Sequence, residues 1–483
     1  MPPARGFGRR GMISAMSAEG LQAPVTSQAA AIRPVTLRVF AFTFCLYALY
    51  FALSFRIPTS RWFYITGDEP HYLIMTLSLL RDGDLAVDDE YADGSYRVFY
   101  PADLDDPPAA GIRFHTLRAQ DGSLYSKHGP GLALLVLPAY ALGGHVGVNL
   151  FMLLLSSVLS AQAFAFAYDL TGATRPSLAA WGLSAFAPPL LLYSPLVFPE
   201  MAGGLCLLYA VRQATAIGPR RSQSLLAALC LALLPWFHVR YIVFLLPMVV
   251  FLLADRHPRR MLLMGGAAVG VVTLGLNYCL LYGGMPAPET WGTFSPWFVP
   301  KAALGLLLDR EFGLLPFAPI YVLGVAGLVW GCARDKDHRG AWALVASTLA
   351  MYYVMVGSYS AWHGQWNPPG RMLVSVVPLL VPALALSLRR ATNSLSRSAA
   401  LALGLWGWLA GLVFALSPEL RFDFPTGRSE FWSYVDTATG GHMQGLIPSL
   451  VVASPRDYLL ATLWLAVFGV SSWLWFRRTR RGA

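Results

Sequence analysis

Two adjacent carboxylates, Asp68-Glu69, follow the first long apolar segment of the chain and are followed at once by Pro70. Carboxylates so close to a membrane segment are costly unless they serve a function, because hydrocarbon cannot solvate their charge. One interpretation is a general base, or a metal ligand, at the mouth of a water-filled cavity. The other is a helix N-cap, since proline suits the first helical turn and acidic groups favour the positive end of a helix. The spacing leaves both interpretations open, and both can hold together.

Glu200, directly after Pro199, is a further candidate carboxylate. It either stabilises the N-terminus of a helix or converges with Asp68 on a shared site. His71 and Glu200 are accessory candidates for the same site. No cofactor is required by the sequence, but a divalent ion (Mg, Mn, Ca or Zn) at Asp68 and Glu200 is consistent with these residue types.

Six cationic side chains are candidates for binding a phosphate group, whose negative charge such donors stabilise. They are Lys127, His128, His238, Arg240, Arg310 and Arg371. Lys127-His128 precede Gly129-Pro130-Gly131, where glycines permit close approach of another segment. Plainer interpretations remain for these cations: a basic turn, an arginine that snorkels to the membrane interface, or a local ion pair.

An acidic run follows in the same region of the chain. It contains Asp82, Asp84, Asp88, Asp89, Glu90 and Asp93. The run lacks the ligand and glycine spacing of an EF-hand, so a solvated loop is favoured over a calcium site. Neither a P-loop nor a dinucleotide fingerprint is found, which argues against nucleotide chemistry.

The composition defines the class of protein that must position these residues. The chain has 483 residues, is 56% hydrophobic and only 13% charged, and its mean hydropathy is +0.51. A soluble domain carries about 25% charged residues, so we predict an all-α polytopic membrane protein. The net charge of +10 then reflects the loops of a membrane protein, and we predict no nucleic-acid partner.

A membrane span needs about 20 apolar residues, and the sequence supplies about twelve such segments. They lie near 37–55, 146–168, 176–196, 200–217, 222–236, 239–254, 261–282, 313–333, 340–358, 372–388, 398–416 and 457–476. The short apolar run 131–143 is predicted to be an interfacial or re-entrant helix. Residues 1–36 are predicted to be a disordered cytoplasmic tail, and 477–483 a basic cytoplasmic tail.

Lys and Arg are concentrated in short connections such as 218–221 and 389–397, which the positive-inside rule assigns to the cytoplasm. The opposite, outer side receives longer segments. These are 56–130, 283–312, 359–371 and 417–456. The stretch 222–254 decides on which side of the membrane the later loops lie. A single helix there would leave His238 and Arg240 at mid-bilayer, so we predict a hairpin of two helices. The prediction is an inner (plasma) membrane protein with cytoplasmic termini and its active site on the outer, periplasmic face.

This pattern resembles the GT-C superfamily of integral-membrane glycosyltransferases, in particular the protein O-mannosyltransferase and lipid A aminoarabinose transferase group. The resemblance is carried by Asp68-Glu69 in a long first outer loop, by the run from Lys127 to Gly131, and by Glu200. The segments 312–319 and 362–371 are similar to those of uncharacterised bacterial members. The resemblance covers 37–476, which would form one transmembrane catalytic domain. The large soluble or inserted domains of those relatives are absent, which leaves the acceptor open.

The resemblance implies a glycosyltransferase (EC 2.4 type) that takes a sugar from a polyprenyl phosphate. The acceptor would be an extracytoplasmic glycolipid, polysaccharide or protein, and membrane lipids would surround the enzyme. By position, the role of catalytic acid or base falls on Asp68, with Glu69 beside it. We expect inversion at the anomeric carbon by a single displacement. The alternative is a transporter or flippase for a lipid-linked sugar.

Overall fold

The structure is a computed structural model that describes residues 25–56, 67–99, 115–216, 218–254, 258–286 and 292–479. Its helices are Val25–Arg56, Glu69–Arg81, Asp88–Ala92, Gly131–Thr171, Thr174–Ala185, Leu190–Tyr193, Pro199–Thr215, Arg221–Phe237, Leu245–Ala254, Arg260–Tyr282, Val299–Leu308, Tyr321–Arg334, Arg339–Gly357, Val381–Arg389, Ser394–Leu416, Glu430–Thr439 and Pro455–Thr479. Its 3-10 helices are Ser95–Phe99, Val239–Phe244, Pro296–Phe298, Arg371–Leu373, Val377–Leu380, Pro418–Arg421 and Met443–Leu446. Two short strands, Thr116–Arg118 and Leu124–Ser126, pair antiparallel.

The predicted all-α polytopic architecture is confirmed, and the chain is an integral membrane protein. Six helices are long and apolar enough to cross a membrane. Their spanning portions are Ile32–Ser54, Gly131–Thr171, Arg260–Tyr282, Arg339–Gly357, Ser394–Leu416 and Pro455–Trp475. Shorter apolar helices supply further segments of the bundle. Two helices, Glu69–Arg81 and Asp88–Ala92, lie within the segment predicted to be the first outer loop.

Both predicted tails extend beyond the described residues. The first helix begins at Val25, twelve residues before the predicted start of the first span at 37. Pro34 lies inside this helix. Residues 1–24 and 480–483 lie outside the described residues, as do parts of the first outer loop.

Prolines shorten three of the predicted spans. The span predicted at 176–196 is interrupted after Ala185, because Pro188 and Pro189 follow, and only the short helix Leu190–Tyr193 forms beyond them. Proline lacks the N–H that an internal helical hydrogen bond requires, and it restricts the residue before it. The same effect moves the starts of two other helices. The span predicted to start at 313 becomes helical only at Tyr321, after Pro316 and Pro319. The span predicted to start at 372 becomes α-helical only at Val381, after Pro378. These stretches instead form irregular segments within the bundle.

A two-glycine break divides the long Gly131–Thr171 element. Gly143 has φ −148° and Gly144 has φ 54°, and neither conformation is helical. Glycine adopts such conformations without the steric cost that a Cβ would add. The separate short helix predicted at 131–143 is therefore joined to the next span through a kink.

Several connections meet at one end of the bundle, which we call the loop end. The Glu69 carboxylate accepts a hydrogen bond from the Val197 backbone N–H at 2.7 Å. The Gly370 N–H donates to the Phe312 carbonyl at 3.0 Å. At the loop end, the first outer loop therefore contacts a segment more than a hundred residues away in sequence.

Glycines bring the backbone segments of the loop end into direct contact. A Cβ at Gly129 would lie 2.3 Å from the Trp236 carbonyl oxygen, and one at Gly203 would lie 2.4 Å from the Tyr241 ring. Both separations are far below van der Waals contact, so a larger residue would force these segments apart. The first contact holds the segment after Lys127 against the end of the Arg221–Phe237 helix.

Candidate active site

Asp68 is the residue before the Glu69–Arg81 helix, but its side chain does not cap that helix. Instead, the Asp68 Oδ2 accepts a hydrogen bond from the Nη2 of Arg371, 303 residues away in sequence. The Asp68 side chain is 20% exposed to solvent, whereas the Arg371 side chain is 8% exposed. Asp68 therefore occupies the N-cap position and Glu69 the first turn, as the second interpretation predicts, but the Asp68 side chain pairs with Arg371 and not with the helix backbone.

Arg371 bridges the two candidate carboxylates. Its Nε donates to Glu200 Oε1 at 3.2 Å, and its Nη1 donates to the Gly364 carbonyl at 3.2 Å. The guanidinium carbon lies 4.6 Å from the centre of the Phe198 ring, a cation–π distance. The planar fork of arginine suits this set of acceptors, because its donors point in fixed, different directions.

Glu200 is the second residue of the Pro199–Thr215 helix and is fully buried. Its Oε1 also accepts from Arg240 Nη2 at 2.6 Å. Glu200 therefore lies at a helix N-terminus, and Arg371 links it to Asp68, as convergence of the two carboxylates requires. Among described atoms, Glu200 Oε2 and Arg240 Nε are buried without a hydrogen-bond partner. Asp68, Glu200, Arg240 and Arg371 form what we call the ionic cluster.

Burial opposes ionisation of Asp68, but the Arg371 guanidinium, together with His128 and His115, holds its pKa well below the usual range. The carboxylate is therefore ionised at neutral pH. Its Oδ1 accepts no hydrogen bond from the described residues, so one carboxylate oxygen is free to face a substrate.

Three imidazoles, the histidine trio, lie beside Asp68. His71 and His115 stack with ring centres 4.0 Å apart, and His115 Nδ1 is 2.9 Å from His128 Nε2. Burial lowers the pKa of His115 to about 4 and that of His128 to about 3. Neutral imidazoles are the form that binds metal ions, and one ring nitrogen of each histidine lies within 4.8 Å of the others.

The metal site expected at Asp68 and Glu200 is a poorer fit than the histidine trio. Arg371 occupies the space between these two carboxylates, and Arg240 adds a second positive charge beside Glu200. A cation placed there would be repelled by both guanidinium groups. Of the predicted accessory residues, His71 is thus the one that lies in a group able to hold an ion.

Lys127 is half-buried next to the histidine trio. Burial lowers its pKa, and the nearby Asp68 charge opposes that shift. Its ammonium forms no salt bridge with any residue in the described ranges. Lys127 therefore differs from Arg240 and Arg371, whose charges are already matched by carboxylates.

His238 and Arg310, both predicted to bind a phosphate group, make different contacts in the structure. The His238 Nδ1 accepts from the Arg240 backbone N–H at 3.2 Å, which fixes the turn that carries Arg240. Arg310, predicted to bind phosphate, instead donates to Asp457 Oδ1 at 3.2 Å. The plainer interpretation of Arg310, a local ion pair with Asp309 or Glu311, is also wrong. The Asp309 carboxylate instead accepts the backbone N–H groups of Glu311 and Phe312. Arg310 thus supports the loop and does not join the ionic cluster.

Sequence reasoning missed His115, which lies directly before the strand Thr116–Arg118. Its neighbours in sequence have no recognisable pattern, and only the hairpin pairing brings it to His128. The Lys127 N–H donates to the His115 carbonyl at 2.8 Å, which places the two imidazoles side by side. A second histidine in the same loop was the one available signal.

No protein-family model and no curated protein sequence matches the chain. Among solved structures, the chain is similar to apo ArnT from Cupriavidus metallidurans, with 16% identity over 94% of this chain and 76% of that one, at TM-score 0.46. The same protein bound to undecaprenyl phosphate gives 15% identity, coverages of 93% and 78%, and TM-score 0.43. The archaeal oligosaccharyltransferase AglB from Archaeoglobus fulgidus, in complex with an inhibitory peptide and a dolichol-phosphate, gives 11% identity over 83% of this chain and TM-score 0.47.

This chain spans 59% of the AglB chain. ArnT and AglB are both GT-C enzymes, the superfamily that the sequence resembles. The chemistry of this chain is inferred from the side chains of the loop end.

Proposed function

We propose that this protein is a glycosyltransferase that moves a sugar from a polyprenyl phosphate to an acceptor hydroxyl on the outer face of the membrane. The observation that supports this proposal most directly is the juxtaposition of an ionised, partly exposed Asp68 with Arg371, Arg240 and Lys127. A carboxylate can align and deprotonate an acceptor, while cations stabilise a departing phosphate.

In the proposed reaction, the free Oδ1 of Asp68 accepts the proton of the acceptor hydroxyl. The acceptor oxygen forms a bond to the anomeric carbon, and the bond from that carbon to the phosphate oxygen breaks. The electron pair leaves with the prenyl phosphate, and the configuration at carbon inverts. A low pKa makes Asp68 a weak base, so its main contribution is to orient the hydroxyl and stabilise its developing positive charge.

Lys127 is the proposed primary contact for the donor phosphate. It approaches the site from the first loop and has no salt-bridge partner among the residues that the structure describes. Arg240 and Arg371 would add positive potential, although each is already paired with Glu200. The undecaprenyl phosphate in the ArnT structure and the dolichol-phosphate in the AglB complex carry no sugar, and they belong to the class of lipid phosphate that departs in the proposed reaction.

The proposed activity is tested by mass spectrometry of lipid and glycan fractions from cells with and without the gene. We expect the deletion strain to accumulate a sugar-bearing prenyl phosphate and to produce a glycan, glycolipid or glycoprotein that lacks one sugar. Complementation with the wild-type gene should restore both. Unchanged fractions would contradict the proposal, and a lipid-linked sugar that only fails to cross the membrane would support a transporter instead.

Glu69, predicted to be catalytic, is proposed to act as a positioning residue. It is 2% exposed, and its Oε1 accepts the Val197 N–H at 2.7 Å, which ties the first loop to the segment before Glu200. We expect Glu69→Gln to retain transfer within about threefold, because glutamine keeps an acceptor at this position. Glu69→Ala should lower the free energy of unfolding by about 1–3 kcal/mol, because it leaves a buried N–H unpaired.

Thermal unfolding and transfer by the purified variants check this assignment together. A thousandfold loss of transfer in a stable Glu69→Gln protein would return Glu69 to the catalytic residues. Glu419→Gln, at an exposed position of the loop end, serves as a control for the loss of one carboxylate.

A further inference from the structure

Three carboxylates converge at a second place in the first outer loop, between the end of the Glu69–Arg81 helix and the short Asp88–Ala92 helix. Asp82, Asp89 and Glu90 each contribute an oxygen that lies within 4.8 Å of the other two. We call them the acidic trio. The sequence favoured a solvated loop here, and Asp82 and Asp89 are indeed exposed.

Glu90 does not fit a solvated loop. It is only 1% exposed, and its Oε2 is buried without a hydrogen-bond partner. A buried carboxylate beside two others is strongly unfavourable unless a positive charge is supplied.

The chain supplies no such charge within the described ranges. No salt bridge there includes Asp82, Asp89 or Glu90. The nearest basic residues in sequence are Arg81 and Arg97. The Nη1 of Arg81 donates to Ser95 Oγ at 2.7 Å and lies 3.8 Å from Asp93, and the guanidinium carbon of Arg97 lies 5.9 Å from the centre of the Tyr96 ring. The guanidinium of Arg81 is thus engaged by the other side of the loop.

We propose that the acidic trio binds a divalent cation of the calcium type. Calcium takes six to eight oxygen ligands at about 2.4 Å with irregular geometry. Two oxygens bound to the same ion are therefore at most about 4.8 Å apart, and the three oxygens of the trio lie within that distance of one another. The exposed side chains of Asp82 and Asp89 leave room for water molecules to complete the coordination, while Glu90 anchors the ion from the buried side.

This cation would stabilise the part of the loop that carries Lys127. The Val87 N–H donates to the Leu124 carbonyl at 2.8 Å, and the Leu124 N–H donates to Asp88 Oδ2 at 2.7 Å. The strand that begins at Leu124 leads directly to Lys127. Fixing Asp89 and Glu90 to the end of the preceding helix therefore fixes the strand before Lys127.

The purified full-length protein in detergent, stripped of metal with EGTA, provides the test. Calcium ions alone are titrated, with binding followed by calorimetry and stability by thermal unfolding. We expect saturable binding and a rise in Tm for the wild type. Glu90→Gln should weaken calcium affinity by about tenfold or more, because the number of charged ligands sets the affinity of such sites. Its calcium-free Tm should not fall, because the substitution removes repulsion.

Asp93→Asn is the matched control, since Asp93 belongs to the same acidic run but faces Arg81. We expect it to bind calcium as the wild type does. Asp89→Asn, at an exposed position, should weaken binding even if Glu90→Gln folds poorly. The proposal is overturned if the wild type shows no calcium binding, if both trio variants bind as tightly as the wild type, or if magnesium at equal concentration has the same effect. None of these readouts depends on glycosyl transfer.

Discussion

Asp68→Asn is expected to lower glycosyl transfer by about 10²- to 10⁴-fold, the usual contribution of a positioned general base. The amide still accepts a hydrogen bond from Arg371 at the same place, but it can neither carry the negative charge nor take the acceptor proton. The fold should persist, because the Asp68 side chain is partly exposed and does not cap its helix. Transfer by purified protein, with thermal unfolding of the same sample, measures both effects.

Asp169→Asn is the matched control for Asp68→Asn. Asp169 is also paired with an arginine, Arg212, at 2.6 Å, but Arg212 is in the last turn of the helix that Glu200 begins. The same chemical change is thereby made far from the loop end, and we expect wild-type transfer. Full activity in a well-folded Asp68→Asn protein would remove Asp68 from the proposed chemistry.

Asp68 could be recognised as a candidate from sequence because its signal is local. A charged pair beside an apolar segment is unusual in itself, so Asp68-Glu69 can be recognised without knowing the fold. The difference between the two carboxylates could not be predicted in the same way. It depends on Val197 and Arg371, which the fold brings from 128 and 303 residues away.

For the cationic candidates, too, the sequence indicated which residues face outward but not which carboxylate each one pairs with. Composition and loop placement singled out Arg240, Arg310 and Arg371 as equivalent outward arginines. In the structure, Arg240 and Arg371 share Glu200, whereas Arg310 pairs with Asp457 in the first turn of the last helix. Which carboxylate an arginine meets is a matter of tertiary packing, for which residue type gives no signal.

The spans follow a comparable rule. Apolar length predicted the helices Arg260–Tyr282, Arg339–Gly357 and Ser394–Leu416 to within a few residues. It was wrong where prolines occur within an apolar run, as before Tyr321 and Val381. Hydropathy reports burial in lipid or protein equally, so it does not distinguish a spanning helix from an irregular buried segment.

Arg371→Met is expected to abolish transfer and to lower the free energy of unfolding by about 3–5 kcal/mol, the usual cost of removing one partner of a buried ion pair. Asp68 would lose its guanidinium partner, and the Gly364 carbonyl would lose a donor. Arg371→Lys keeps the charge but offers one ammonium in place of the fork that joins Asp68 and Glu200. We expect this variant to fold and to lose about 100-fold in transfer, because its donors no longer fix both carboxylates.

The double variant Asp68→Asn/Arg371→Met separates stability from chemistry. Removing both partners eliminates the unpaired Asp68 charge, so part of the stability lost in Arg371→Met should return, while the donors to Glu200 and the Gly364 carbonyl stay missing and transfer stays absent. Arg310→Met provides the control, since Arg310 is also buried against a carboxylate but lies outside the ionic cluster. It should lose stability while the remaining folded protein transfers sugar at the wild-type rate. If Arg310→Met abolished transfer in folded protein while Arg371→Met left it intact, the phosphate and acceptor would have to bind around Asp457, and not around Asp68.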